Sequence, residues 1–176
     1  MILTGYKIIK EVKGGKIKIT PFDHNRITTN SYDLRLGSKL IRYTSKTLDP
    51  KIKPDFKIMD IPKSGMIMQA GDFLLGETEE MVGSDSYVPI IHAKSGTARM
   101  GLFVHVTADL IDIGYYGKFT LQLFATLPVK IYPYMLIAQV SFWQPKGKIV
   151  LYKGKYQNSD GPKPSMCYKD FGKINK

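Results

Sequence analysis

From Met66 onward, short runs of alternating apolar and polar residues follow one another, each cut off by Gly, Pro or Asp. The runs are Met66–Gln69, Asp72–Thr78, Tyr87–Ala93, Gly101–Ala108, Lys118–Phe124, Val129–Tyr132, Leu136–Trp143 and Lys148–Tyr152. A period of two puts successive side chains on opposite faces, so each run reads as a half-buried strand. Short strands at this spacing fold as a sandwich, jelly roll or closed barrel. In Lys118–Phe124 the pattern is clean: Phe119, Leu121 and Leu123 alternate with Lys118, Thr120 and Gln122. An uncharged amide, Gln122, therefore stands in the middle of a polar face.

The part before Met66 is more mixed. A short helix is expected over residues 5–13, with Thr4 as its cap, Ile8, Ile9 and Val12 as its apolar stripe, and Gly14 and Gly15 as its end. Lys16–Thr20 alternates as a strand and stops at Pro21; Tyr32–Gly37 alternates again. Residues 44–65, rich in Lys, Pro, Asp and Ser, read as a loop excursion. The tail from Lys153 is polar and rich in Gly and Pro, so it is either disordered or orders over a ligand. A chain of 176 residues fits one domain, here residues 1–176 with a flexible tail at about 153–176, and can bury a core without disulfide or metal staples.

Composition narrows the function classes. The lone Cys167 cannot form an internal disulfide, and no Cys/His set has zinc spacing, which suits a reducing compartment. No run approaches the ~20 apolar residues of a membrane span. The start carries no charged region followed by an apolar one, so a cytoplasmic protein is expected. The net charge of +11 favours polyanionic partners, yet the lysines are scattered rather than gathered in one block, which points away from a nucleic-acid face.

Zinc-dependent deamination would need His-x-Glu and Cys-x-x-Cys, and both are missing, as are Walker A and Rossmann glycine patterns. His24, His92 and His105 are unpaired in spacing and are expected to be structural. Two stretches carry chemistry. In Ala93–Leu102, Lys94, Ser95, Gly96 and Thr97 offer an ammonium, two hydroxyls and glycine-freed N–H groups that suit phosphate oxygens, with Arg99 following. The same residues would also make an ordinary helix start capped by Ser95 or Thr97. In Val104–Gly117, Asp112 sits between Ile111 and Ile113, where a carboxylate needs a partner or begins a turn.

These stretches, taken in order, resemble the dCTP deaminase branch of the dCTP deaminase/dUTPase superfamily. SYDLRLG from Ser31 resembles its N-terminal pattern. KSGTARMGLFVHVTA from Lys94 resembles Arg-Ser-Ser-Leu-Ala-Arg-x-Gly-Leu-x-Val-His-Val-Thr-Ala. IDIGYYGKFTLQLF from Ile111 resembles Ile-Asp-Pro-Gly-aromatic-x-Gly-x-x-x-Leu-Glu-Leu-Phe. YMLIAQVSF from Tyr134 and YKGKYQNSDGP from Tyr152 resemble the family's last strand and its triphosphate-binding tail. The resemblance implies a mainly β, distorted jelly roll of the dUTPase-like type with short helices, assembled as a homotrimer with sites between subunits. It implies a deoxynucleoside triphosphate ligand, dCTP or dUTP with dTTP as a further candidate, and Mg2+ riding on the phosphates rather than in a protein cage. By motif, Ser95 would contact the triphosphate, together with Lys94, Gly96 and Thr97. Arg99 would stabilise charge at the reacting carbon, and the Ala108 carbonyl would hold the attacking water. Asp112 would bind the sugar 3′-hydroxyl. Tyr152, Lys155, Tyr156 and Ser159 would close over the nucleotide from the tail.

Zinc-free deamination needs a carboxylate to take a proton from water and return it to the leaving amine. In the family this is the Glu of Leu-Glu-Leu-Phe; here Gln122 holds the catalytic position, and an amide is no base. Other departures are Lys94 for the first Arg, Gly96 for the second Ser, Ala125 for Asn, Tyr134 for the Gly of Pro-Gly-Met, and Ser159 for a common Gln. Three outcomes stay open at this level. The chain is a deaminase of dCTP to dUTP impaired or trapped by Gln122, a dUTPase giving dUMP and pyrophosphate, or an inactive nucleotide-binding sensor or sponge.

Overall fold

The structure is a computed structural model and describes residues 1–174; positions 175 and 176 of the expected tail lie outside the described residues. Helix α1 spans Gly5–Lys13, as its stripe predicts, with Ile8 fully buried and Val12 packed against the core. Thr4 holds the extended cap conformation, but its side chain makes no capping bond.

The strands are β1 (Ile17–Thr20), β2 (Tyr32–Arg35), β3 (Lys39–Tyr43), β4 (Phe56–Asp60), β5 (Met66–Met68), β6 (Phe73–Ser84), β7 (Val88–Ala93), β8 (Leu102–Phe103), β9 (Tyr116–Ala125), β10 (Val129–Ile131) and β11 (Leu136–Trp143). Among the described residues they form three antiparallel sheets. The largest runs β4-β3-β6-β9-β8, with β1 joined to β6; a second runs β2-β11-β7; β10 and β5 pair as a ribbon. Apolar faces of these sheets enclose one core containing Leu34, Leu74, Leu121, Leu123, Val140 and Phe142. The mainly β architecture expected from the strand pattern, in the distorted jelly-roll form that the resemblance implies, is therefore the fold.

Strand β9 keeps its alternation: every second residue from Gly117 to Ala125 is buried and the residues between are half-buried. It pairs along β6 with a register shift between Glu77 and Met81. At that bulge the Thr78 hydroxyl accepts from Phe119 N–H at 2.9 Å and donates to the Glu80 carbonyl at 2.7 Å, replacing lost ladder bonds. The Glu80 carboxylate is fully buried. It accepts from Arg35 Nε at 2.9 Å, Arg35 N–H at 2.9 Å and the Arg26 guanidinium, so its charge is paired, and removing one partner would leave a buried charge uncompensated.

Four local expectations are corrected. The excursion at 44–65 is not all loop, because β4 lies inside it and pairs with β3; β4 is a largely exposed edge strand of only five residues, and the Lys, Pro, Asp and Ser around it hide its pairing. Gly101–Ala108 is strand only at β8, after which the chain turns. Lys148–Tyr152 is not a strand; Ile149, Val150 and Leu151 are exposed. The tail ends in a helix, α3 (Tyr168–Ile174).

Candidate functional site

A cavity of about 540 Å³ opens beside β9. One wall is β9 itself, with Phe119, Thr120 and Gln122. A second is the loop between β8 and β9, with Ala108, Leu110 and Asp112. The third is the tail, with Tyr152, Tyr156, Ser159 and Lys163; Tyr43 at the end of β3 and Leu48 from the β3–β4 excursion also reach the cavity. On the half-buried face of β9, Thr120 and Gln122 look into this space.

Backbone pairing places the tail. Tyr152 N–H donates to the Ile113 carbonyl at 2.7 Å, and Asn158 N–H to the Tyr116 carbonyl at 3.0 Å. Lys118 N–H donates to the Ser159 carbonyl at 2.8 Å, and Lys163 N–H to the Thr120 hydroxyl at 3.0 Å. The turn at Asp112–Tyr115 needs Gly114. Its φ is +91°, and a Cβ there would come within 2.8 Å of Leu151 Cβ and Tyr152 N. Within the tail, Tyr152 Oη accepts from Tyr156 N–H at 3.2 Å, Tyr156 Oη from Met166 N–H at 2.9 Å, and Tyr43 Oη from Ser165 N–H at 2.8 Å. The Tyr115 hydroxyl is pushed up to about 12 by burial and donates to the Lys118 carbonyl at 2.7 Å, so it stays a neutral donor.

Gln122 is held at both ends of its residue. Its backbone N–H donates to the Val104 carbonyl at 2.9 Å. Its side-chain Oε1 accepts from Val106 N–H at 3.1 Å and, more weakly, from Thr107 N–H at 3.5 Å. The amide thus fastens the loop that carries Ala108.

Of the residues singled out in the sequence, the cavity gathers Ala108, Asp112, Gln122, Tyr152, Tyr156 and Ser159. It does not gather Lys94, Ser95, Gly96, Thr97, Arg99 or Lys155. Helix α2 (Ser95–Arg99) contributes no residue to the lining of the cavity. Lys94, not Ser95 or Thr97, is its N-cap, and its ammonium pairs with Asp33; Thr97 is buried, while Ser95 and Arg99 are exposed. Lys155 pairs with Asp170 and lies 5.7 Å from the centre of the Tyr156 ring. Lys163, the cation on the cavity wall, is missing from the sequence candidates; its only signal is its place in the Gly/Pro-rich tail. His92 is tied to Ser141 Oγ at 2.8 Å, and burial lowers its affinity for a proton, as suits a structural histidine.

Among the described residues, no three His, Cys, Asp or Glu side chains gather as a metal-ligand set, and no helix is long and apolar enough to cross a membrane. A magnesium ion would fit this donor set only as part of a ligand that brings its own oxygens.

Residues 2–145 match the family model described as dCTP deaminase-like. The chain belongs to the dCTP deaminase-like family. Two relatives are each named "dCTP deaminase, dUMP-forming". That of Clostridium beijerinckii is 42% identical over 174 residues, covering 98% of this chain and 100% of the relative. That of Clostridium botulinum is 44% identical with the same coverage. The fold is also similar to the crystal structure of 2′-deoxycytidine 5′-triphosphate deaminase from Agrobacterium tumefaciens, with a TM-score of 0.64 at 24% identity. That match covers 80% of this chain and 47% of the other. The family match ends at Pro145, two residues after β11, so the tail that walls the cavity lies beyond it.

Proposed function

We propose that this chain is a dCTP deaminase-like nucleotide enzyme whose cavity takes a magnesium-bound deoxynucleoside triphosphate, and whose deamination step is held back by Gln122. The observation that carries this is the grouping of Gln122, Ala108 and Asp112 with the tail residues Tyr152, Tyr156 and Ser159 around one cavity. Phe119 and Leu75 give a ring an apolar bed there.

The relatives' name describes conversion of dCTP to dUMP, which amounts to two hydrolyses. In the first, water adds to C4 of cytosine and ammonia leaves, giving a uracil ring. In the second, water cleaves the anhydride and pyrophosphate leaves. The first step needs a group that accepts a proton from water and hands it to the departing amine. Gln122 stands where that group belongs, and its amide can only donate or accept hydrogen bonds. What Gln122 retains is positioning: it fixes the 104–108 loop and with it the Ala108 carbonyl, an acceptor for the attacking water. Asp112 supplies a carboxylate for the sugar hydroxyl. Magnesium, bound to phosphate oxygens, would neutralise charge on the leaving pyrophosphate.

Among the described residues, a single copy brings one Lys or Arg, Lys163, to the cavity wall and no residue of α2. A homotrimer supplies the rest: an α2 from a neighbouring subunit would bring Ser95 and Arg99 to the phosphates and the reacting carbon. Val106, Leu110, Val150 and Leu151 are exposed around the loop and the start of the tail, and a neighbour would cover them. The exposed thiol of Cys167 suits a reducing cytoplasm.

The test is to incubate the protein with dCTP or dUTP and magnesium and to separate the products. Slow release of dUMP and pyrophosphate from dCTP supports the proposal. Rapid hydrolysis of dUTP with untouched dCTP makes the chain a dUTPase, and saturable binding without turnover makes it a sensor or sponge. Absence of nucleotide binding overturns the site.

A further inference from the structure

We infer that Gln122 turns the cavity into a reader of the pyrimidine 4-position, one that selects a 4-oxo ring (the uracil and thymine class) over the 4-amino ring of cytosine. The inference rests on the proposed placement of the ring's 4-position at Gln122. Everything else comes from how this amide is held.

The two ends of a glutamine amide are chemically opposite: the oxygen accepts and the nitrogen donates two hydrogens. The backbone N–H groups of Val106 and Thr107 both point at the Gln122 side chain, at 3.1 and 3.5 Å. An N–H can only donate, so the end facing the loop must be Oε1. A flipped amide would set Nε2 hydrogens against those N–H groups and lose both bonds. Nε2 is therefore the end left over, and it has no hydrogen-bond partner among the described residues. Because Gln122 lines the cavity, a donor-only group is presented there.

A 4-oxo ring offers that donor an acceptor oxygen. A 4-amino ring offers it two more N–H hydrogens, so donor meets donor and both groups lose their water without compensation. An unpaired polar group of this kind in a closed site weakens binding by ~10-fold or more. A carboxylate at the same position behaves in the opposite way. One oxygen still accepts from the loop N–H groups, and the other presents an acceptor to the ring. Exchange of Gln for Glu should therefore invert the preference as well as restore a base. On this view Gln122 is a specificity residue in its own right.

The experiment is calorimetric titration of the full chain, with magnesium, using the α,β-imido analogues of dUTP and dCTP. Recovery of both analogues intact is checked by chromatography. The expected result is that the 4-oxo analogue binds at least ~10-fold more tightly to the wild type, and that Gln122→Glu erases or reverses the ratio. Equal affinities, or tighter binding of the 4-amino analogue by the wild type, overturn the inference while leaving the nucleotide site intact. Binding of neither analogue removes the site itself and the inference with it. The wild-type ratio stands alone as a test should the variant fold poorly.

Discussion

At the scale of the residue, Gln122 shows how one atom changes what a site can do. Its backbone is an ordinary strand residue, and its side chain keeps the loop contacts that a glutamate would also make. In the proposed site the amide lacks the proton-accepting capacity of a carboxylate and offers a donor where a carboxylate would offer an acceptor. Gln122→Glu is therefore expected to raise dCTP turnover by about 10²-fold or more, the usual contribution of general acid–base catalysis. Steady-state release of uracil nucleotide from dCTP measures it, and an unchanged rate would show that a second departure, such as Lys94 held by Asp33, also blocks the reaction. Much of this was legible beforehand. Alternation alone put Gln122 on the face of β9 opposite the buried one, and there it lines the cavity. The fixed orientation of the amide was not legible, because it depends on two loop N–H groups sixteen and fifteen positions upstream in the chain.

At the scale of the element, the turn between β10 and β11 explains a departure the sequence displays without its reason. Tyr134 stands where the family pattern has glycine, and it adopts φ +64°, the left-handed region that costs a side chain about 1–2 kcal/mol. Its backbone is held there by Tyr134 N–H to the Leu36 carbonyl at 2.8 Å, and by Leu36 N–H to the Met135 carbonyl at 2.9 Å. The ring is half exposed and contributes little packing. Tyr134→Gly should stabilise the protein by about 0.5–1 kcal/mol once the greater freedom of glycine in the unfolded chain is subtracted, read as a rise in Tm of about 2 °C. A fall in Tm would mean that the tyrosine ring holds more than its exposure suggests. The elements that escaped sequence reading share a physical cause. Strand β4 is a five-residue edge strand set in a stretch rich in Lys, Pro, Asp and Ser, so the composition of its surroundings masks it. The run Ile149–Leu151 is apolar without being paired, so the pattern overstates it.

At the scale of the whole molecule, the cavity and α2 are two parts of a proposed site that one copy keeps apart. Arg99→Ala is expected to weaken binding of a deoxynucleoside triphosphate by at least ~10-fold, as for loss of a charge-assisted contact, while light scattering still returns the mass of a trimer. A monomeric wild type would remove the route by which Arg99 reaches the phosphates. Loss of the trimer only in the variant would make Arg99 an interface residue instead. The order of motifs along the chain made the candidates visible. Their division between cavity and outer surface was not, because sequence spacing carries no information about which copy a side chain faces.

The tail has a consequence for how ligand and stability report on each other. Tyr152, Ser159 and Lys163 both pair with the rest of the domain and wall the cavity, so docking of the tail and occupancy of the cavity share one equilibrium. A ligand that binds only the docked form, present at a hundred times its Kd, would deepen that docking by about 2.7 kcal/mol. Resistance of the Lys153–Lys155 segment to a protease would then serve as a titration curve for the proposed nucleotide ligand, readable without any catalytic turnover.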